Sequence, residues 1–243
     1  MSSVTISGDL IGHVRLLLKM SLDDAAQGKA LVEDGNAFSS YASVAYILTV
    51  AAVEAFLNEN YLFGVFCRSG TKESALWRIP DDVREKLDLL VKLELVADLM
   101  FGKRLPRGEQ PMQDFAVLIK LRNALTHYKM GMHHPDFVQK LRQEKLLLPL
   151  PKHLPPEDTA AQPWVWEIST ISGVIWAHNT AAAVVQRLVA CDEQDLCNGS
   201  STAGNFPQLD ARGVRAYLNS LAAKTSAKAE GRADGRQAQG ESP

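Results

Sequence analysis

The chain has 243 residues, 46% hydrophobic and 22% charged, the balance of an ordinary globular protein with one large domain or two small ones. Its net charge of −2 excludes a broad nucleic-acid surface held by electrostatics alone, so any phosphate contacts must be concentrated locally. Three cysteines, Cys67, Cys191 and Cys197, show neither paired metal spacing nor a disulfide framework and suggest a reduced, cytoplasmic setting.

In chain order the pattern is helical nearly throughout. Met1-Ser2-Ser3-Val4-Thr5 lacks a charged start and apolar core, so no secretory signal is expected. Ser7 or Asp9 can cap a first helix running through Leu10, Val14, Leu17 and Leu18 toward Leu31, before Gly35 interrupts it. A second helix is expected from about Ala37 to Phe66, with Tyr46, Val50, Val53 and Leu57 on one stripe. Its uncharged stretch from Asn36 to Val53, like that from Ile168 to Gln186, carries too many polar groups for a lipid-facing span and reads as a buried bundle helix. Gly70-Thr71-Lys72 reads as a loop. Pro80-Asp81-Asp82 opens a third helix carrying Val83, Leu87, Leu90, Val91 and Leu95 to Met100.

A basic loop, Gly102 to Gly108, precedes the next helix, for which Pro111 sits in the first turn; that helix is expected to end near Met130-Gly131. Pro135-Asp136 starts a short helix to Leu147, and Pro149, Pro151, Pro155 and Pro156 mark an irregular connection. Trp164-Val165-Trp166-Glu167-Ile168 suggests an extended segment, with both tryptophans on one face, before a last core helix from Ser169 to Ala190. The organisation expected is an all-α bundle over residues 8–191, a linker over 192–207, a short amphipathic helix over 208–223 through Val214, Tyr217, Leu218 and Leu221, and a disordered tail over 224–243.

The clearest piece of chemistry is Leu121-Arg122-Asn123-Ala124-Leu125-Thr126-His127, following the apolar run Phe115-Ala116-Val117-Leu118-Ile119. Arginine offers a permanent cation with a planar fork of donors, and histidine can move a proton near neutral pH. On a helix Arg122 shares the stripe of Phe115, Leu118 and Ile119, where a cation needs a carboxylate, a polar cavity or a phosphate. His127 is turned by roughly 140° from Arg122, so the two flank a ridge and do not touch. Asn123 and His127 lie together at the edge of the apolar arc.

Arg-Asn-x-x-x-His late in an apolar helix resembles the signature of the HEPN superfamily (higher eukaryotes and prokaryotes nucleotide-binding domain). The upstream helix Val50-Ala51-Ala52-Val53-Glu54-Ala55-Phe56-Leu57-Asn58, with its acidic residue, is similar to a first core helix of such domains. The likeness covers roughly residues 21–190 as an architecture, and only the short motif is specific. It implies an all-α, HEPN-like bundle that dimerises so that two motifs line one cleft. It further implies a metal-independent endoribonuclease with no cofactor, in a toxin or antiviral defence setting, with RNA as substrate and an antitoxin or defence protein as partner. In that scheme the RNA 2′-hydroxyl attacks the adjacent phosphorus, leaving a 2′,3′-cyclic phosphate and a 5′-hydroxyl. His127 handles proton transfer, Arg122 neutralises the pentacoordinate phosphate, and Asn123 orients the backbone or His127.

Plainer assignments stand beside these. Glu54 is either the carboxylate that fixes Arg122 or a bundle-edge charge, and a buried Arg122–Glu54 ion pair would make the motif structural. The chain would then be a non-catalytic dimerisation, nucleotide-binding or partner-binding module. Lys103, Arg104 and Arg107 could supply phosphate contacts, or form a solvated loop. His133 and His134 are adjacent, with no matching cluster, and suit a loop or cap better than a metal site. Trp176, His178 and Asn179 are expected in the core or at a dimer contact.

Overall fold

The computed structural model describes residues 5–62, 79–127, 136–148, 163–193 and 202–237. Outside them lie the expected loop at Gly70-Thr71-Lys72, the pair His133 and His134, the proline-rich connection from Pro149 to Pro156, and Cys67 and Cys197. The described residues are mostly helical. The main elements are α1 (Ile6–Ala26), a hairpin of β1 (Val32–Glu33) and β2 (Asn36–Ala37), α2 (Ala42–Leu57), α3 (Asp81–Lys86), α4 (Leu89–Leu95), α5 (Met112–Thr126), α6 (Asp136–Gln143), α7 (Pro163–Ile168), α8 (Ile171–Val189) and α9 (Ala211–Gln237).

Helix α2 forms the centre, packed against α1, α5 and α8. Tyr46, Val50, Val53 and Leu57 are all buried, as their helical spacing requires, and a wider π-type turn continues the helix over Asn58–Leu62. Each such side chain removed from water contributes about 1.5–3 kcal/mol. Ala42–Leu62 is the one stretch among the described residues long and apolar enough to cross a membrane, and half of it is buried inside the protein.

The cap of helix α1 lies two residues before Ser7 and four before Asp9, the expected caps. Thr5 is the cap, its hydroxyl accepting from the Gly8 N–H at 3.1 Å. The Glu59 carboxylate reaches across from the π-type turn to accept from the Ile6 N–H (2.6 Å) and the Ser7 hydroxyl (2.6 Å). An anion on the positive end of α1 thereby ties the first and second helices together. The helix stops at Ala26, short of Leu31, at the left-handed Gly28 (φ 70°), and Asp34 (φ 50°) and Gly35 (φ 72°) then turn the chain into a hairpin. Two central residues with positive φ are what a tight two-residue hairpin turn demands, and Asp-Gly is its strongest sequence signal. A Cβ at Gly35 would also come within 2.7 Å of Arg215 on α9.

That hairpin organises the start of α8. The Asn36 side-chain oxygen accepts from the Ser172 N–H at 3.0 Å, and the Thr170 hydroxyl accepts from the Gly173 N–H at 2.9 Å. Two otherwise unpaired amides of the α8 N-terminus are satisfied in this way. The Tyr46 hydroxyl donates to the Ile168 carbonyl at 2.5 Å, and its burial pushes the phenol pKa up.

Three expectations change. The third helix is broken: Leu87 and Asp88 are extended, and Asp88 caps α4 by accepting from the Leu90 N–H at 2.9 Å. The break resets the register, so Leu89, Lys92, Leu93, Val96 and Ala97 face inward while Val83 is 44% exposed. The segment around Trp164 and Trp166 is helical, opened by Pro163, and the two rings diverge. Trp164 packs edge-on to Phe137 (6.0 Å) while Trp166 stacks on Phe38 (5.5 Å).

The third change concerns the C-terminal part. Phe206, within the expected linker, is fully buried against Phe56, and the Thr202 hydroxyl donates to the Asn60 side-chain oxygen at 3.1 Å. Helix α9 extends to Gln237, past Lys224 where the tail was expected to be disordered, because Ala, Lys, Glu, Arg and Gln are strong helix formers. Residues 238–243 lie outside the described ones.

Candidate functional site

Helix α5 carries the motif. Pro111 occupies its cap position, and Phe115, Leu118, Ile119 and Leu121 are buried against α2 and α8. The helix ends at Thr126, short of the expected Met130-Gly131, and residues 128–135 lie outside the described ones. The Thr126 hydroxyl donates back to the carbonyls of Arg122 (3.0 Å) and Asn123 (3.2 Å). His127 leaves helical geometry (φ −112°, ψ 31°) while its N–H still donates to the Asn123 carbonyl at 2.9 Å. A histidine at the last, half-helical position projects from the helix end, so the simple angular offset from Arg122 along a continuous helix does not apply.

Arg122 is half-buried, whereas Asn123 and His127 are exposed. The Arg122 Nε is shielded from solvent without a hydrogen-bond partner. Among the described residues no carboxylate pairs with this guanidinium. A buried donor left unbonded costs about 1–3 kcal/mol, so the position is not explained by stability.

Glu54 does not fix Arg122. Its carboxylate meets the Lys92 ammonium at 2.7 Å, and the Lys92 side chain is only 3% exposed. The structural Arg122–Glu54 pair is therefore corrected: the buried cation is Lys92. Its signal was present in the sequence, because Leu89, Lys92, Leu93 and Val96 fall on one helical stripe once the helix restarts at Asp88.

The basic loop is largely neutralised. Lys103 pairs with Glu193 at 2.8 Å, and Arg107 makes a two-pronged contact to Glu94 at 2.5 and 2.6 Å. Glu193 raises the Lys103 pKa and Lys103 lowers that of Glu193, both as exposed groups. Arg104 is exposed and, among the described residues, without an ion pair. The groove of about 540 Å³ beside this loop is lined by Glu94, Asp98, Lys103 and Arg104, and by none of Arg122, Asn123 and His127.

Elsewhere, among the described residues, the most perturbed histidine is His178 in α8, fully buried and with neither ring nitrogen bonded. Burial, reinforced by the charge of Arg15 and partly offset by the Asn179 amide, lowers its pKa from 6.5 to about 4. It is a neutral core residue. Asn179 instead clamps the chain entering α9, accepting from the Leu209 N–H at 2.7 Å and donating to its carbonyl at 3.0 Å.

Comparison with protein-family models, curated proteins and solved structures returned no match.

Proposed function

We propose that the chain is an HEPN-type, metal-independent endoribonuclease acting as a homodimer, with Arg122, Asn123 and His127 as its reactive group. The observation that carries this reading is the half-buried guanidinium of Arg122, without a carboxylate partner among the described residues, five residues before an exposed His127 at the helix end. A fixed cation without a carboxylate suits an anionic ligand, and phosphate matches its fork of donors.

In the reaction proposed, the 2′-hydroxyl loses its proton as it bonds to phosphorus, and the bond to the 5′-oxygen breaks. His127 moves the proton and Arg122 balances charge on the phosphate oxygens. Asn123 supports His127 through the backbone, its carbonyl accepting the His127 N–H. Of the basic loop, Arg104 alone has no carboxylate partner among the described residues, so it is the loop residue proposed to meet RNA.

The neutralisation of Lys103 and Arg107 favours a second reading, a dimerising or partner-binding module without catalysis. Purified protein incubated with mixed RNA in excess EDTA separates the two. Cleavage leaving 2′,3′-cyclic phosphate ends, lost in His127→Ala and Arg122→Ala with folding intact, is the expected result. No cleavage by folded wild-type dimer assigns the chain to the binding module.

A further inference from the structure

A second pocket, remote from the motif, lies where the start of α5, the body of α8 and the start of α9 meet. It encloses about 490 Å³, within the range of small-molecule sites. Asp114 in its wall is eight residues from Arg122 along α5, about 12 Å by helical rise. This site therefore stands or falls independently of the proposed ribonuclease.

Its lining divides into two parts. Ile175, Trp176, Ala183 and Val214 supply a mainly apolar wall with one large aromatic ring. Arg212 and Arg215, three apart on α9, supply two exposed guanidinium groups, and among the described residues neither has a carboxylate partner. The Arg215 stem is held against Gly35 of the hairpin turn, which limits how far it can swing. The one acidic side chain in the lining, Asp114, is already taken by Lys140 at 2.8 Å, so it does not cancel the arginines.

We propose that this pocket binds a small amphipathic organic anion: an aromatic or branched apolar body against Trp176 and Ile175, with a carboxylate, sulfonate or phosphate group held by Arg212 and Arg215. The apolar wall rewards burial of a ring, and two cations three residues apart on one helix favour an anion that can meet both. Gln110, Ser172 and Thr180 add neutral polar groups to the lining that can orient the ligand, while its one carboxylate, already paired with Lys140, gives a cation no comparable hold.

The test uses 8-anilinonaphthalene-1-sulfonate and its uncharged counterpart N-phenyl-1-naphthylamine, titrated into the full chain by calorimetry and fluorescence. The sulfonate is expected to bind once per chain, at least tenfold more tightly than the neutral probe. The Arg212→Gln, Arg215→Gln variant changes only exposed side chains and should abolish that preference while leaving neutral-probe binding unchanged. Ala183→Phe, which fills the cavity, should weaken both probes at least tenfold; Val214→Phe serves if the first fails to fold. Non-saturable binding, more than one site per chain, or sulfonate affinity unaltered in folded variants of both kinds would overturn the proposal.

Discussion

The Lys92 ammonium, with 3% of its side chain exposed, sits 2.7 Å from the Glu54 carboxylate, and this pair leaves Arg122 without its expected counter-ion. The exchange of partners turns a structural explanation of the motif arginine into a functional question. It also moves the stability role to Lys92, a residue with no part in the motif.

Glu54→Ala should therefore destabilise the protein by about 2 kcal/mol, less than the removal of a fully buried partner because Glu54 is itself 35% exposed. Lys92→Met in the same background should recover most of the loss. Urea unfolding of both singles and the double measures the coupling. The same cycle between Glu54→Ala and Arg122→Ala should be additive; strong coupling there would restore the pair that the structure does not contain.

Arg122→Met should leave stability unchanged or raise it by about 1 kcal/mol, since it removes a shielded, unbonded Nε. If the ribonuclease reading holds, the same substitution abolishes cleavage. Thermal melts and RNA cleavage on one preparation check both halves, and a large loss of stability would mark Arg122 as a structural residue.

Acidification should weaken the fold through His178. Its pKa is about 4 in the folded chain against an ordinary 6.5, so the unfolded state binds the proton more readily between those values. The contribution is present above pH 6.5 and lost as pH falls to 4, amounting to about 3 kcal/mol. Denaturant midpoints measured at several pH values should fall across this window. His178→Leu should flatten that part of the profile.

Gly173→Ala should cost about 2–3 kcal/mol. An added Cβ would collide with the Tyr46 hydroxyl and lie 2.9 Å from the Thr170 hydroxyl, displacing the group that bonds the Ile168 carbonyl. Tyr46→Phe in the Gly173→Ala background should relieve part of that clash, which equilibrium unfolding can measure.

Phe206→Ala should cost about 3–5 kcal/mol, as for a large aromatic removed from a packed core. A loss below 1 kcal/mol in unfolding experiments would show that the segment after α8 is a tether and not part of the bundle.

The sequence by itself determined the helical class, the buried stripe of α2 and the apolar face that carries α5. Those features follow from residue spacing within one helix, and Tyr46, Val50, Val53 and Leu57 needed no partner to be identified as core. The interruption at Gly35 was legible too, but the hairpin at Asp34-Gly35 was not expected, although Asp-Gly is a local signal for positive φ at both positions. The tertiary structure alone decided which cation meets Glu54, because that depends on where α4 restarts after the break at Leu87 and Asp88. It also decided that Phe206 returns to the core, and that Arg212 and Arg215 face a pocket built from three separate helices. Spacing reports which residues share a face of one element; burial and charge pairing are properties of the faces that meet.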